Sequence, residues 1–227
     1  MRHTGILGSR RVTTALGAAA VLLIFAMGAG HGQPLAATRY ARVLAPGAGD
    51  SEPTAAWTAF CNRLPDECRI DPSEPATIDL TPDVSELLAA TNLRVNTTIK
   101  PMTDREHWGV EDRWDFPDDG FGDCEDYQLL KRKLLAEAGL PRRAMRMTVV
   151  IDTEGDGHAV LTIRTDRGDL ILDNKRDAVL TWNDTGYEFI KREGSDTVAW
   201  VALGGGPART VVASRSVLKA RPSSARR

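Results

Sequence analysis

Histidine and cysteine are among the scarce residues of this chain, four and three among 227. His3 and His31 fall in or beside a leader-like stretch, which leaves His107 and His158 for the body. So short a supply argues against a zinc centre built on the usual imidazole and thiolate ligands. Long apolar runs are missing too: Ala15–Ala29 is uncharged, but too short and too rich in alanine and glycine for a comfortable membrane span. It follows Arg10 and Arg11 and precedes small residues such as Ala36 and Ala37, which predicts an export signal over residues 1–36. The arginine pair permits a twin-arginine route.

Acidic residues are absent from both ends. Residues 1–36 hold three basic and no acidic side chains, and 207–227 hold six and none. The stretch 37–206 carries 20 basic against 31 acidic groups, a net of −11. A body of that charge excludes nucleic acid as a natural partner and gains from a bound cation. The basic tail, 204–227, reads as disordered and solvated, and the Ala/Gly/Pro-rich segment 37–60 as a flexible tether. One domain over 61–203 remains.

An oxidising compartment makes the cysteines legible. Cys61 and Cys68, in "FCNRLPDEC", lie seven apart across a proline-containing loop, a spacing that a turn can close into a disulfide. Cys124 is then the odd one out, and it sits among charges, in "FGDCEDYQLLKRKLLAEAGLP". Asp123 suits an N-cap, Asp126 falls at the third helical position where it completes a capping box, and Tyr127, Leu130, Leu134 and Ala138 make an apolar stripe before Gly139 and Pro141 end the helix. Cys124 is thus predicted at the first helical position, where the helix dipole lowers a thiol pKa. A cysteine nucleophile needs an imidazole as base and a carboxylate or amide to orient it, and the chain can supply both.

Thr81 as cap, Pro82 after it, and Val84, Leu87, Leu88, Thr91 and Val95 at helical spacing predict a further helix. Lys100 to Gly122 has no steady period and reads as an ordered loop, whose Trp108, Trp114 and Phe116 either wall a cleft or plug the edge of the core. Strands follow at 145–151, 158–165 and 169–174, with one or two more in "YEFIKR" and "VAWVAL". A helix presenting a cysteine, followed by an antiparallel sheet presenting a histidine and an aspartate, is an α+β arrangement. Pairing Arg164 with Asp169 puts His158 and Asp173 on one face as diagonal neighbours, within reach of each other; a shorter loop at 167–168 separates them by roughly 13 Å. Asp177 shares that face and competes with Asp173.

The stretches "VNTTIKPMTDREHWGVEDRWDFPDDGFGDCEDY", "TVVIDTEGDGHAVL" and "GDLILDN" resemble the bacterial transglutaminase-like cysteine proteinases, a family that includes periplasmic proteases cutting large surface adhesins. The resemblance covers about Cys61 to Leu203. It implies a papain-like, transglutaminase-core fold with Cys124 as nucleophile, His158 as general base and Asp173 as its orienter. It also implies Ca²⁺ held by Asp123 and Glu125, which flank the cysteine, a protein substrate of the adhesin kind in the periplasm, and an inner-membrane receptor as regulatory partner. Acyl transfer to an amine, as in a transglutaminase or amidase, shares the same acyl-enzyme. A non-catalytic module binding calcium or a partner is the reading from another class.

Overall fold

The computed structural model describes residues 43–44 and 49–204; the expected export signal, most of the N-terminal half of the tether and nearly all of the basic tail lie outside them. In chain order the elements are β1 (Asp50–Ser51), α1 (Ala55–Arg63), α2 (Pro65–Cys68), α3 (Pro82–Thr98), β2 (Lys100–Pro101), α4 (Asp104–His107), β3 (Phe121–Gly122), α5 (Cys124–Glu137), β4 (Met145–Ile151), β5 (Gly157–Thr165), β6 (Gly168–Asp173), β7 (Arg176–Thr181), β8 (Glu188–Glu193) and β9 (Trp200–Ala202). Short 3₁₀ turns at Arg142–Ala144 and Trp182–Asp184 complete them.

Seven strands form one antiparallel sheet in the order β1-β9-β8-β4-β5-β6-β7. β4 and β5 lie at its centre and are buried on both faces, as their Val, Ile, Met and Leu content requires. One face contributes Met145, Met147, Val149, Ala159, Leu161, Ile163 and Leu172 to the main core, with Leu129 and Leu135 of α5. Val150, Val160, Ile171 and Phe189 pack with Leu44 and Leu203 in a second cluster. The expected α+β architecture is therefore present, and its sheet is wider than the sequence pattern indicated, because β1 is only two residues long and β7 carries no apolar alternation strong enough to mark it.

The expected tether needs correction. Thr54 caps α1 by accepting from the Trp57 N–H at 3.0 Å, and Trp57 and Phe60 are buried. Trp57 meets Trp114 and Trp200 edge-on, with centroids 5.3 and 6.0 Å away. An Ala-rich composition hid a helix whose aromatic pair at i and i+3 docks on the core. Cys61 and Cys68 are bonded, with Cα atoms 5.6 Å apart, and tie α1 to α2.

α3 starts as its sequence indicates: Thr81 Oγ1 accepts from the Val84 N–H at 3.2 Å. Its buried side includes Asn92 beside Leu88, Thr91 and Val95. The stripe expected of α5 is also divided. Tyr127, Leu130 and Leu134 pack with Val95 and Ile99 of the α3 end, while Leu129 and Leu135 enter the main core. α5 is sandwiched, so even its polar first half is buried. Gly139, at φ +93°, lets the chain leave the helix.

Candidate active site

Cys124 opens α5 behind the Asp123/Asp126 capping box, and only 8% of it is exposed. Its thiol donates to Glu125 Oε2 at 3.1 Å, and the Ala159 backbone N–H of β5 is directed at its sulfur. The helix start was expected to lower the thiol pKa. Instead the thiol lies well above its ordinary range, first through burial and then through the negative charge of Asp123. Helix-terminus attraction is worth a fraction of what burying a thiolate beside carboxylates costs.

Ala159 is the neighbour of His158. The hairpin that carries His158 and Asp173 has the register Arg164↔Asp169 and Leu161↔Leu172, closed by a turn at 166–167. His158 Nε2 and Asp173 Oδ1 are 2.8 Å apart. The competing Asp177 and the nearby Asp169 go elsewhere: Asp169 Oδ2 takes Arg192 at 3.1 Å, and Asp177 Oδ1 takes Asn96 Nδ2 at 3.1 Å. His107 lies apart, bonded to Asp119 at 2.7 Å and stacked on Trp108.

Asp173 also accepts from the Lys175 N–H at 2.9 Å and, through Oδ2, from the Tyr187 hydroxyl at 2.7 Å. Burial alone would raise its pKa, but the hydrogen bonds from His158, Tyr187 and Lys175 hold it below the usual carboxylate value. Asp173 is therefore an anion at neutral pH. With Nε2 turned to Asp173, Nδ1 is the ring nitrogen left for proton exchange with a thiol. Tyr187 also stands edge-on to the His158 ring, centroids 5.8 Å apart. No sequence spacing marked Tyr187, which lies just ahead of β8.

Residues 47–207 match the family model of the bacterial transglutaminase-like cysteine proteinases, BTLCP. The chain belongs to this family. It is a cysteine peptidase with a transglutaminase-like fold. Among solved structures the BTLCP proteinase is similar to Legionella pneumophila LapG, at 25% identity over 66% of this chain and 79% of that one, with a TM-score of 0.45. The calcium-bound form of that protein is 24% identical over 73% and 87% of the two chains, with a TM-score of 0.46. No curated protein matches it.

The proteinase surrounds its cysteine with more acid than Asp123 and Glu125. Asp104 and Asp112 come within common reach of Glu125, and Asp104 also meets Asp123 and Asp126. The Asp104 N–H donates to Asp123 Oδ2 at 3.3 Å, and Asp104 in turn accepts from the Arg113 N–H. Burial, followed by the Asp123 charge, pushes Asp104 up to about 7, Asp112 to about 6 and Asp126 to about 9. Glu125 is fully buried and raised well above the carboxylate range by burial, then by Cys124 and its acidic neighbours. Asp104 and Asp112 come from the stretch read as a loop; four acids within "DREHWGVED" were the available signal. Of the three aromatics there, Trp114 is buried in the core, Phe116 packs at its edge, and Trp108 stays 41% exposed.

Proposed function

We propose that this BTLCP peptidase is a periplasmic, calcium-dependent endopeptidase that works through Cys124, His158 and Asp173 on a surface adhesin or another envelope protein. The observation that carries the triad is the 2.8 Å contact of His158 Nε2 with Asp173 Oδ1, beside a cysteine whose sulfur meets the adjoining Ala159 N–H. His158 Nδ1 takes the Cys124 proton, the sulfur attacks a peptide carbonyl, and His158 returns the proton to the leaving amine. Backbone N–H groups at the start of α5 face the developing oxyanion. Water then resolves the thioester.

The acidic surround fits a hard divalent cation. Glu125 Oε1 is buried without a hydrogen-bond partner, and oxygen donors from Asp104, Asp112 and Asp123 lie within common reach of Glu125 or of one another. Asp123 and Glu125 would hold calcium, with Asp104 and Asp112 beside them. When bound, the ion offsets the negative field that opposes a thiolate at Cys124. Glu125 otherwise accepts the thiol's hydrogen bond and competes with His158 for that proton.

Export rests on the sequence of residues 1–36, and an adhesin substrate on the family. The test is a comparison of wild type with Cys124→Ala on envelope proteins of the source cell, with calcium and with a chelator, and with a labelled amine present. One protein should be cut by the wild type alone, and only with calcium. Amine incorporated into the product would move the reaction to acyl transfer. Equal cleavage by metal-stripped, folded protein would remove calcium from the proposal.

A further inference from the structure

Lys131 lies two helical turns beyond Cys124 on α5 and is fully buried, 0% exposed. Its Nζ has no hydrogen-bond partner. That is an anomaly for a side chain almost never fully buried unless paired. The Tyr127 ring centroid is 6.0 Å from the amine, and the Tyr127 hydroxyl is committed to the Ile99 carbonyl at 2.7 Å. The charges acting on Lys131 are Asp173 and Asp177, on either side of the β6–β7 turn.

The rest of that turn is bound by neutral groups or has its charge engaged elsewhere. From α3, Asn92 Oδ1 accepts from the Asp173 N–H at 3.1 Å, and Asn96 Nδ2 donates to the Asp173 carbonyl at 2.9 Å and to Asp177 Oδ1 at 3.1 Å. From α5, Gln128 Nε2 donates to Asn174 Oδ1 at 3.3 Å. Lys175 Nζ pairs with Asp152, and the Arg176 guanidinium lies 5.1 Å from the Tyr187 ring centroid. Asn96 Oδ1 and Gln128 Oε1 are buried acceptors without donors, the complement of an ammonium that carries three.

We propose that Lys131 is a positioning residue of the peptidase: its ammonium, buried beneath the turn that carries Asp173 and Asp177, is the countercharge that fixes the β6–β7 turn and sets how tightly Asp173 grips the proton on His158. The proposal rests on the assignment of His158 and Asp173 to the triad. Burial lowers the Lys131 pKa to about 7 and the two carboxylates oppose that fall, so the amine is charged in the mildly acidic range. Asp173 and the ammonium are buried, whereas Asp177 is exposed and screened by water, so the ammonium acts mainly on the buried Asp173–imidazolium pair. Without Lys131 the buried Asp173–imidazolium pair loses a nearby positive charge, so the imidazolium holds its proton harder and returns it less readily to a leaving amine.

The chain has four histidines, of which the body holds His107 and His158, few enough for the ring nitrogen resonances of histidine-labelled full-length protein to be assigned. We would follow them by NMR against pH, in a Cys124→Ala background at fixed calcium, with Lys131→Met, Lys131→Arg and Asp173→Asn added. In Lys131→Met the His158 midpoint should move to higher pH by about half a unit or more. Lys131→Arg should restore it, and His107, bonded to Asp119, should stay put. An unmoved His158 in folded Lys131→Met, with Asp173→Asn displacing it, overturns the role of Lys131 alone. If Asp173→Asn also leaves His158 unmoved, the triad assignment fails and this proposal fails with it. Should Lys131→Met not fold, Lys131→Gln, neutral but polar, is read against the same outcomes.

Discussion

The protein buries charge differently at the two ends of α5. Toward the C-terminal half, the buried Arg132 is matched with Glu193 at 2.8 Å and, beyond it, the buried Arg192 with Asp169 at 3.1 Å, while the half-buried Arg142 pairs with Glu67 at 2.6 Å. Around the first turn, Asp104, Asp112, Glu125 and Asp126 are held by backbone N–H groups, the Trp114 indole and the Cys124 thiol, and each is pushed upward in pKa. A matched pair roughly breaks even against desolvation and fixes geometry. A cluster of one sign stores repulsion that only a proton or a cation relieves, so it marks a site where the other marks a scaffold.

The sharpest way to break this comparison is to unmatch a pair. Arg132→Met leaves Glu193 buried beside Met147, whose N–H it accepts at 2.7 Å, and should cost about 3–5 kcal/mol in urea denaturation. Adding Glu193→Leu should recover part of that loss; a single variant within about 0.5 kcal/mol of wild type would show the pair to be idle.

Next in size is the pH response of metal-stripped protein. Asp104, Asp112 and Asp126 titrate at about 7, 6 and 9 when folded, above the carboxylate value, so between these limits the folded state binds more protons than the unfolded one. Their contribution is intact below roughly pH 4 and is lost as pH rises toward 9, a fall of several kcal/mol in order of magnitude. Calcium should flatten that slope, and a chelated protein with a flat profile would remove the stored repulsion. Asp112→Asn, which relieves one charge, should stabilise the chelated protein by about 1 kcal/mol at pH 8 and weaken the calcium response.

Asp173 is a third case, a buried anion satisfied by donors. Tyr187→Phe removes the 2.7 Å bond to Oδ2 and should cost about 1 kcal/mol of stability with a modest loss of turnover. Asp173→Asn should remove turnover by orders of magnitude with the fold intact. A Tyr187→Phe enzyme as slow as Asp173→Asn would place the hydroxyl among the reacting groups.

What the sequence made legible follows from signal range. The helix carrying Cys124 and the hairpin carrying His158 and Asp173 are local: caps, alternation and one turn define them, and Arg164↔Asp169 was one of two registers the turn residues allowed. Cys61 and Cys68 were legible because seven residues bound their separation. Contacts made by distant packing were not. Asp104 and Asp112 reach Glu125 only because their loop folds back, Tyr187 meets Asp173 across the sheet, and Lys131 reads in sequence as an ordinary solvated lysine. α1 was lost to composition, since Thr54, Trp57 and Phe60 sit in an alanine-rich stretch.

The two-residue parallel ladder of β2 and β3, Lys100↔Phe121 and Pro101↔Gly122, ties together the ends of the excursion that supplies Asp104 and Asp112. Its far end, around Trp108, Gly109 at φ +72° and Val110, is exposed. The knot fixes the base of this excursion next to the nucleophile, while the tip is free to accept insertions or exchanges without moving Cys124. The exposed tip can therefore be rewritten as an interchangeable cassette while the reacting groups inherit an unchanged frame.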